Sequence, residues 1–159
     1  MSASLSHLNA HGEAHMVDVS AKADTARWAT ATGAITMSDA ARRAVREQSL
    51  AKGDVLAVAR VAGIMAAKKT AELIPLCHAI PLHQVEVTLI EDESIGGIQA
   101  TATARTIGKT GVEMEALTAV SVALLTVYDM VKSVDRGMTI SGVRLLEKGG
   151  GRTGVWQAR

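Results

Sequence analysis

Phenylalanine is absent from this chain, tyrosine occurs once and tryptophan twice, so aromatic residues fill 2% of its 159 positions. That scarcity excludes a protein that binds single-stranded nucleic acid by stacking bases on aromatic side chains. Charge points the same way: 17 Lys and Arg against 16 Asp and Glu leave a formal charge of +1, with no broad basic surface for a polyanion. The single cysteine, Cys77, has no internal disulfide partner, which fits a reducing compartment. No apolar stretch with a cleavage site opens the chain, and the apolar interior runs are broken by charge or glycine. Neither a secretory leader nor a membrane span is expected, and the expected location is cytoplasmic.

What is present is small and apolar. Hydrophobic residues make up 48% of the chain, so the core is built from Ala, Val, Leu, Ile and Met, whose size lets helices approach a sheet closely. The length suits one domain, expected over residues 25–151, with a flexible arm at 1–24 and a flexible basic tail at 152–159. In the arm, His7, His11 and His15 have the i, i+4, i+8 spacing of a helical metal face, but Asn9 and Gly12 disfavour that helix and no second ligand type is near. No metal site is expected. Asp18, Lys22 and Arg27 follow, as polar groups able to fold over a neighbouring site or to stay in water.

Residues 27–37, RWATATGAITM, are rich in Thr, Ile and Ala and read as a strand. Ser38 offers an N-cap for a short helix to about Glu47, and Asp54 caps an Ala-rich helix expected to run to about Leu73. Lys52, just before that second start, could join the helix amides in holding an anion, though a lone loop lysine is usually only solvated. The two prolines of the chain, Pro75 and Pro81, bracket a compact loop, IPLCHAIP. Cys77 and His78, as sequence neighbours, make a poor nucleophile pair and too small a metal set; a substrate hydrogen bond from His78 competes with a purely structural role. Residues 84–91 and 98–107 alternate in polarity and form a hairpin, and residues 138–147 form a last strand with Gly142 at a bulge.

Between the hairpin and the last strand lies the longest regular segment, KTGVEMEALTAVSVALLTVYDMVK, residues 109–132. At about 100° per residue, Leu117, Val120, Leu124, Val127 and Val131 form one apolar arc of a helix starting near Val112. Glu115, Thr118, Val122, Thr126 and Asp129 lie on the other side, with Lys132 one turn beyond Asp129. Spacing alone favours reading Asp129 and Lys132 as a solvated surface pair worth about 0.3–0.5 kcal/mol, since exposed pairs greatly outnumber catalytic acid/base pairs. Gly108-Lys109-Thr110 imitates the end of a phosphate-binding P-loop, but that pattern requires glycine where Thr103 stands. The element order predicts an α+β domain of the ferredoxin-like kind, an antiparallel sheet with helices packed on one face. Its other face needs cover, so an oligomer is expected.

The segments MVDVSAK, KGDV, LIPLCH, KTGVEMEALTA and YDMVK, in this order and spacing over nearly the whole chain, resemble the MoaC family of cyclic pyranopterin monophosphate synthases. The resemblance implies a lyase of molybdenum-cofactor biosynthesis that converts 3′,8-cyclo-7,8-dihydro-GTP, made by a radical-SAM partner enzyme, into cyclic pyranopterin monophosphate and pyrophosphate. It implies a homohexamer, a trimer of dimers with active sites at subunit interfaces. By resemblance Asp129, Lys132 and Lys52 are catalytic. Leu76, Cys77, His78, Met114 and Glu115 contact substrate, Arg27 and Lys148 meet phosphate, and Glu113 lies beside them. No resident cofactor is implied; Mg²⁺ escorting the triphosphate is left open. Where the family loop commonly reads LIPLCHP, Ala79 follows His78 here. A non-catalytic nucleotide- or pterin-binding regulatory module of the same fold is the alternative.

Overall fold

A computed structural model describes residues 8, 9, 11–152 and 154–159; residues 1–7, with His7 among them, Ala10 and Thr153 lie outside the described residues. The chain runs β1 (Thr25–Thr36), α1 (Asp39–Arg46), α2 (Val55–Ala67), α3 (Thr70–Leu73), β2 (Gln84–Asp92), β3 (Gly97–Gly108), α4 (Glu113–Val131), β4 (Thr139–Gly149), β5 (Trp156–Gln157). The strands form one antiparallel sheet in the order β2-β3-β1-β4-β5. Its first four strands, with α2 and α4 as crossovers, are the ferredoxin-like arrangement expected from the element order.

Alternation along the strands decides which face the helices cover. Ala29, Ala31 and Ile35 of β1 and Ala100, Ala102 and Ala104 of β3 are fully buried, and the register sets Ala29 opposite Ala104 and Ala31 opposite Ala102. Onto this shallow floor α4 lays Val120, Leu124, Val127 and Val131, all buried as the apolar arc requires. α4 has the length and apolarity of a membrane span, with mean hydropathy 1.5, but over half of that window is buried inside the fold. A side chain at Gly33 would meet Val120, Leu124 and Val143 within 3.0 Å, and one at Gly63 of α2 would meet the Ala119 carbonyl of α4 at 2.8 Å. α2 and α4 therefore touch nearly backbone to backbone.

The caps form as read: Ser38 accepts from the Ala41 N–H at 3.3 Å and Asp54 from the Ala57 N–H at 3.0 Å. α2 stops at Ala67, short of the expected Leu73, because the buried Thr70 hydroxyl donates to the Ala67 carbonyl at 2.9 Å and opens the separate α3. The non-apolar side of α4 is not a solvated rim along its whole length. Glu115 and Thr118 are buried, since α2, α3 and the 74–81 loop cover the first half of the helix, and Asp129 alone of that row is exposed. Gly142 adopts φ +64° where β4 carries one extra residue opposite β1, the expected bulge. β4 continues through Lys148 to Gly149, and the segment read as a tail supplies β5, with Trp156 opposite Lys148. Near the N-terminus, Leu8 pairs with Ala14, and the Asn9 side chain accepts from the N–H groups of His11 and Glu13 at 2.9 Å. That is a turn, so His11 and His15 share no helical face.

The tight α2/α4 contact leaves no room for branching. Gly63→Val is expected to destabilise the fold by about 1–3 kcal/mol through overpacking, read as a lower urea midpoint at unchanged slope. An unchanged midpoint would show that the helices separate at no cost.

Candidate active site

The charged row at the end of α4 is assembled by helix spacing plus one loop. Asp129 and Lys132 stand one turn apart, and the Lys132 ammonium reaches Asp129 Oδ1 at 2.7 Å. The Lys52 loop, ahead of the Asp54 cap, brings a second ammonium to Asp129 Oδ2 at 2.6 Å and to its carbonyl at 3.0 Å. One carboxylate thus bridges two lysines with all three side chains about half exposed. The ammonium of Lys132, then that of Lys52, holds the Asp129 carboxyl down at about 2. The three catalytic candidates therefore meet within one chain.

The other candidates gather at the opposite end of the same helix. The proline-bracketed loop places Leu76, Cys77 and His78 against Glu113, Met114 and Glu115 in the first turn of α4, around a cavity of about 550 Å³. His78 Nε2 lies 2.7 Å from the Val17 carbonyl; a carbonyl only accepts, so Nε2 carries the proton and straps the N-terminal segment across the loop. Cys77 points its Sγ at Glu115 Oε1, 3.9 Å away. Burial, then the nearby Glu115 carboxyl, pushes the Cys77 thiol up, so it stays a weak donor. Glu115 is 3% exposed and its Oε2 has no partner; burial is the main cause that raises its carboxyl above the usual range.

A smaller cavity of about 180 Å³ opens beside the first, and Thr110, Gly111 and Glu113 line both. Four cations surround it: Arg27 from β1, Lys148 from β4, Lys109 from the turn before α4, and Lys22 from the N-terminal segment. Lys148 is paired with Glu113 at 2.5 Å, Arg27 Nε donates to the Gly108 carbonyl at 2.9 Å, and Lys109 Nζ donates to the Ser20 carbonyl at 2.7 Å. Lys109 and the neighbouring Trp28 were not singled out as site residues from the sequence, and Lys22 was named only as a polar group able to fold over a neighbouring site or to stay in water. The signals for Lys109 were its place just before the Thr110-Gly111 turn and the Gly-Lys-Thr that imitates the end of a P-loop.

The two groups do not meet within one chain. α4 has 19 residues, so at about 1.5 Å each its ends are about 28 Å apart. Among the described residues no three His, Cys, Asp or Glu side chains converge as a metal set.

An apolar cavity thus lies beside a cationic one on a ferredoxin-like scaffold. Comparison with known proteins makes this specific. The model of the MoaC family matches residues 16–151, and the chain belongs to that family. It is 62% identical over 156 residues to the cyclic pyranopterin monophosphate synthase of Methylobacterium sp. (strain 4-46), with 98% of each chain covered. It is 57% identical to the synthase so named from Thermomicrobium roseum, covering 98% of this chain and 93% of that one, and 56% identical to that of Cereibacter sphaeroides, covering 97% of each.

Because the Asp129 pKa is depressed below its ordinary 3.8, the bridge contributes stability above that value and loses it as pH falls through about 2. Carbon-detected NMR is expected to give an Asp129 midpoint near 2, moving back toward 3.8 in Lys132→Met. A wild-type midpoint at 3.8 would mean the bridge is not populated in solution.

Proposed function

We propose that this chain is a cyclic pyranopterin monophosphate synthase, a lyase that converts 3′,8-cyclo-7,8-dihydro-GTP to cyclic pyranopterin monophosphate and pyrophosphate in molybdenum-cofactor biosynthesis. The observation that carries this is the joined pair of cavities meeting at Glu113, in a chain of this family. The larger one suits the heterocycle, with Leu76 and Met114 against its faces and His78, Cys77 and Glu115 at its edge. The smaller one suits the phosphates. Closing a cyclic phosphate expels pyrophosphate, and the ammonium and guanidinium groups of Lys22, Arg27, Lys109 and Lys148 stabilise the charge that develops on it.

Rebuilding a purine skeleton as a pterin needs protons delivered and removed, and Asp129 with its two lysines is the set for that work. An ammonium hydrogen-bonded to a fixed carboxylate is oriented to give a proton; after giving it, the amine takes one back. Lys132 and Lys52 therefore exchange protons with substrate while Asp129 holds both in place.

The length of α4 separates this set from both cavities of its own chain, so the working site takes its cavities from one subunit and its lysine pair from another. A homohexamer, a trimer of dimers, supplies such interfaces. The sheet face away from the helices, where Ile90 and Ile107 stand 51% and 57% exposed, is available for that assembly. The substrate arrives from a radical-SAM enzyme, and the protein works in the cytoplasm.

The test is to incubate purified protein with the cyclo-dihydro-GTP intermediate and follow pyrophosphate and the cyclic product. Wild type is expected to turn over, Lys132→Ala to lose about 100-fold or more in kcat, and Lys22→Ala and Lys109→Ala each to raise KM about 10-fold through loss of a charge-assisted contact. Near-normal turnover by Lys132→Ala would overturn the proton-transfer assignment, and binding without product by wild type would overturn the enzyme.

A further inference from the structure

Two glutamates in the first turn of α4 meet opposite environments. Glu113 is paired with the Lys148 ammonium. Glu115, two residues on, turns into the fold, is 3% exposed, and lines the larger cavity, with Oε2 buried and free of any hydrogen bond. A carboxylate in that position would stand desolvated, helped only by its own backbone N–H and the weak Cys77 thiol donor, which offset less than burial and the Glu113 charge cost it; the neutral acid avoids that cost.

The groups facing Glu115 add no cation to hold it ionised. From the 74–81 loop, the Cys77 thiol points at Oε1 and the His78 ring lines the same cavity. From its own helix comes the negative charge of Glu113. On the far side, Glu115 and His78 border a further cavity of about 130 Å³ with Lys68 and Glu72 around it, where one charge of each sign leaves no net cation for Glu115. Neither Lys68 nor His78 makes a hydrogen bond or ion pair to it.

We propose that Glu115 stands in the empty site as a neutral carboxylic acid and donates its proton to a ring nitrogen of the heterocycle that fills the larger cavity. In that step the carboxyl O–H bond breaks and leaves its electron pair on the carboxylate, while the nitrogen's lone pair forms the new N–H bond. Glu115 is then a third proton-transfer group, supplied by the subunit that holds the ring, beside the lysine pair supplied by the other. The inference rests on the synthase reading above. It adds that the ring pocket takes part in the chemistry as well as in recognition.

Burial raises the Glu115 carboxyl, so the acid form is retained at low pH and lost as pH rises through that raised value. Wild-type kcat should therefore fall on the alkaline side of it, and the limb should be absent from Glu115→Gln. Glutamine keeps the shape and a donor but has no acidic proton. Its KM is expected within about 3-fold of wild type and its kcat lower by about 100-fold or more, the range general acids contribute. Infrared difference spectra of wild-type protein at neutral pH should show the carbonyl stretch of a protonated carboxyl that vanishes in Glu115→Gln. A wild type without that band overturns the proposal even if the variant fails to fold. So does a Glu115→Gln enzyme with unchanged kcat and a KM raised 30-fold, the mark of an ionised carboxylate gripping the ring. Wild-type protein that makes no product overturns the synthase reading, and the transfer with it; product from wild type with an unaffected variant overturns the transfer alone.

Discussion

The contact on which the rest of the structure depends is that between α4 and an alanine floor. Ala29, Ala31, Ala100, Ala102 and Ala104 present only short side chains to the helix, Gly33 lets Val120 and Leu124 sit against the strand, and Gly63 lets α2 close on the same helix. Without phenylalanine to fill a deep core, this domain gains its cohesion from close approach, where many short contacts replace a few large ones. α4 is consequently a rigid rod, pinned along its length. Its two ends cannot bend toward each other.

That rigidity sets the division of chemistry. The first turn of α4 carries Glu113, Met114 and Glu115 into a loop-walled cavity, and its last residues carry Asp129 and Lys132 out to the Lys52 loop. One end is enclosed and largely apolar, so a carboxyl there is pushed toward its neutral form; the other is open and cationic, so a carboxyl there is held ionised at about 2. Two acidic side chains of one helix thus have their carboxyl pKa values moved in opposite directions by position alone. In the reading proposed above, a substrate with a ring, a sugar and a triphosphate uses both kinds of environment, and a second subunit brings them to one place.

Much of the architecture could be read from patterns that repeat. The apolar arc of α4, the alternation of β2 and β3, the Ser38 and Asp54 caps and the Gly142 bulge each follow from a local rule, and each is present. Asp129 and Lys132 were legible as a pair for the same reason, being one helical turn apart. What escaped depends on contacts between distant segments. The burial of Glu115 comes from α2, α3 and the proline-bracketed loop; the break after Ala67 comes from a threonine turning its hydroxyl back on the chain. The cation seat adds Lys22 and Lys109 to Arg27 and Lys148, which the resemblance had named, and no periodicity connects the four. The roles of Lys52 and of the Cys77-His78 loop came from family resemblance, and spacing alone left them open.

The central claim is that one working site is shared between two subunits, and complementation tests it most directly. Asp129→Ala removes the group that orients the lysine pair and His78→Ala damages the cavity end, so each protein alone should be nearly inactive. Subunits of the two mixed in equal amounts and allowed to reassemble should recover about a quarter of wild-type turnover, because half of the interfaces pair unlike subunits and each such pair has one intact site. Mixed oligomers that form and remain inactive would contradict a shared site and return the chemistry to a single chain.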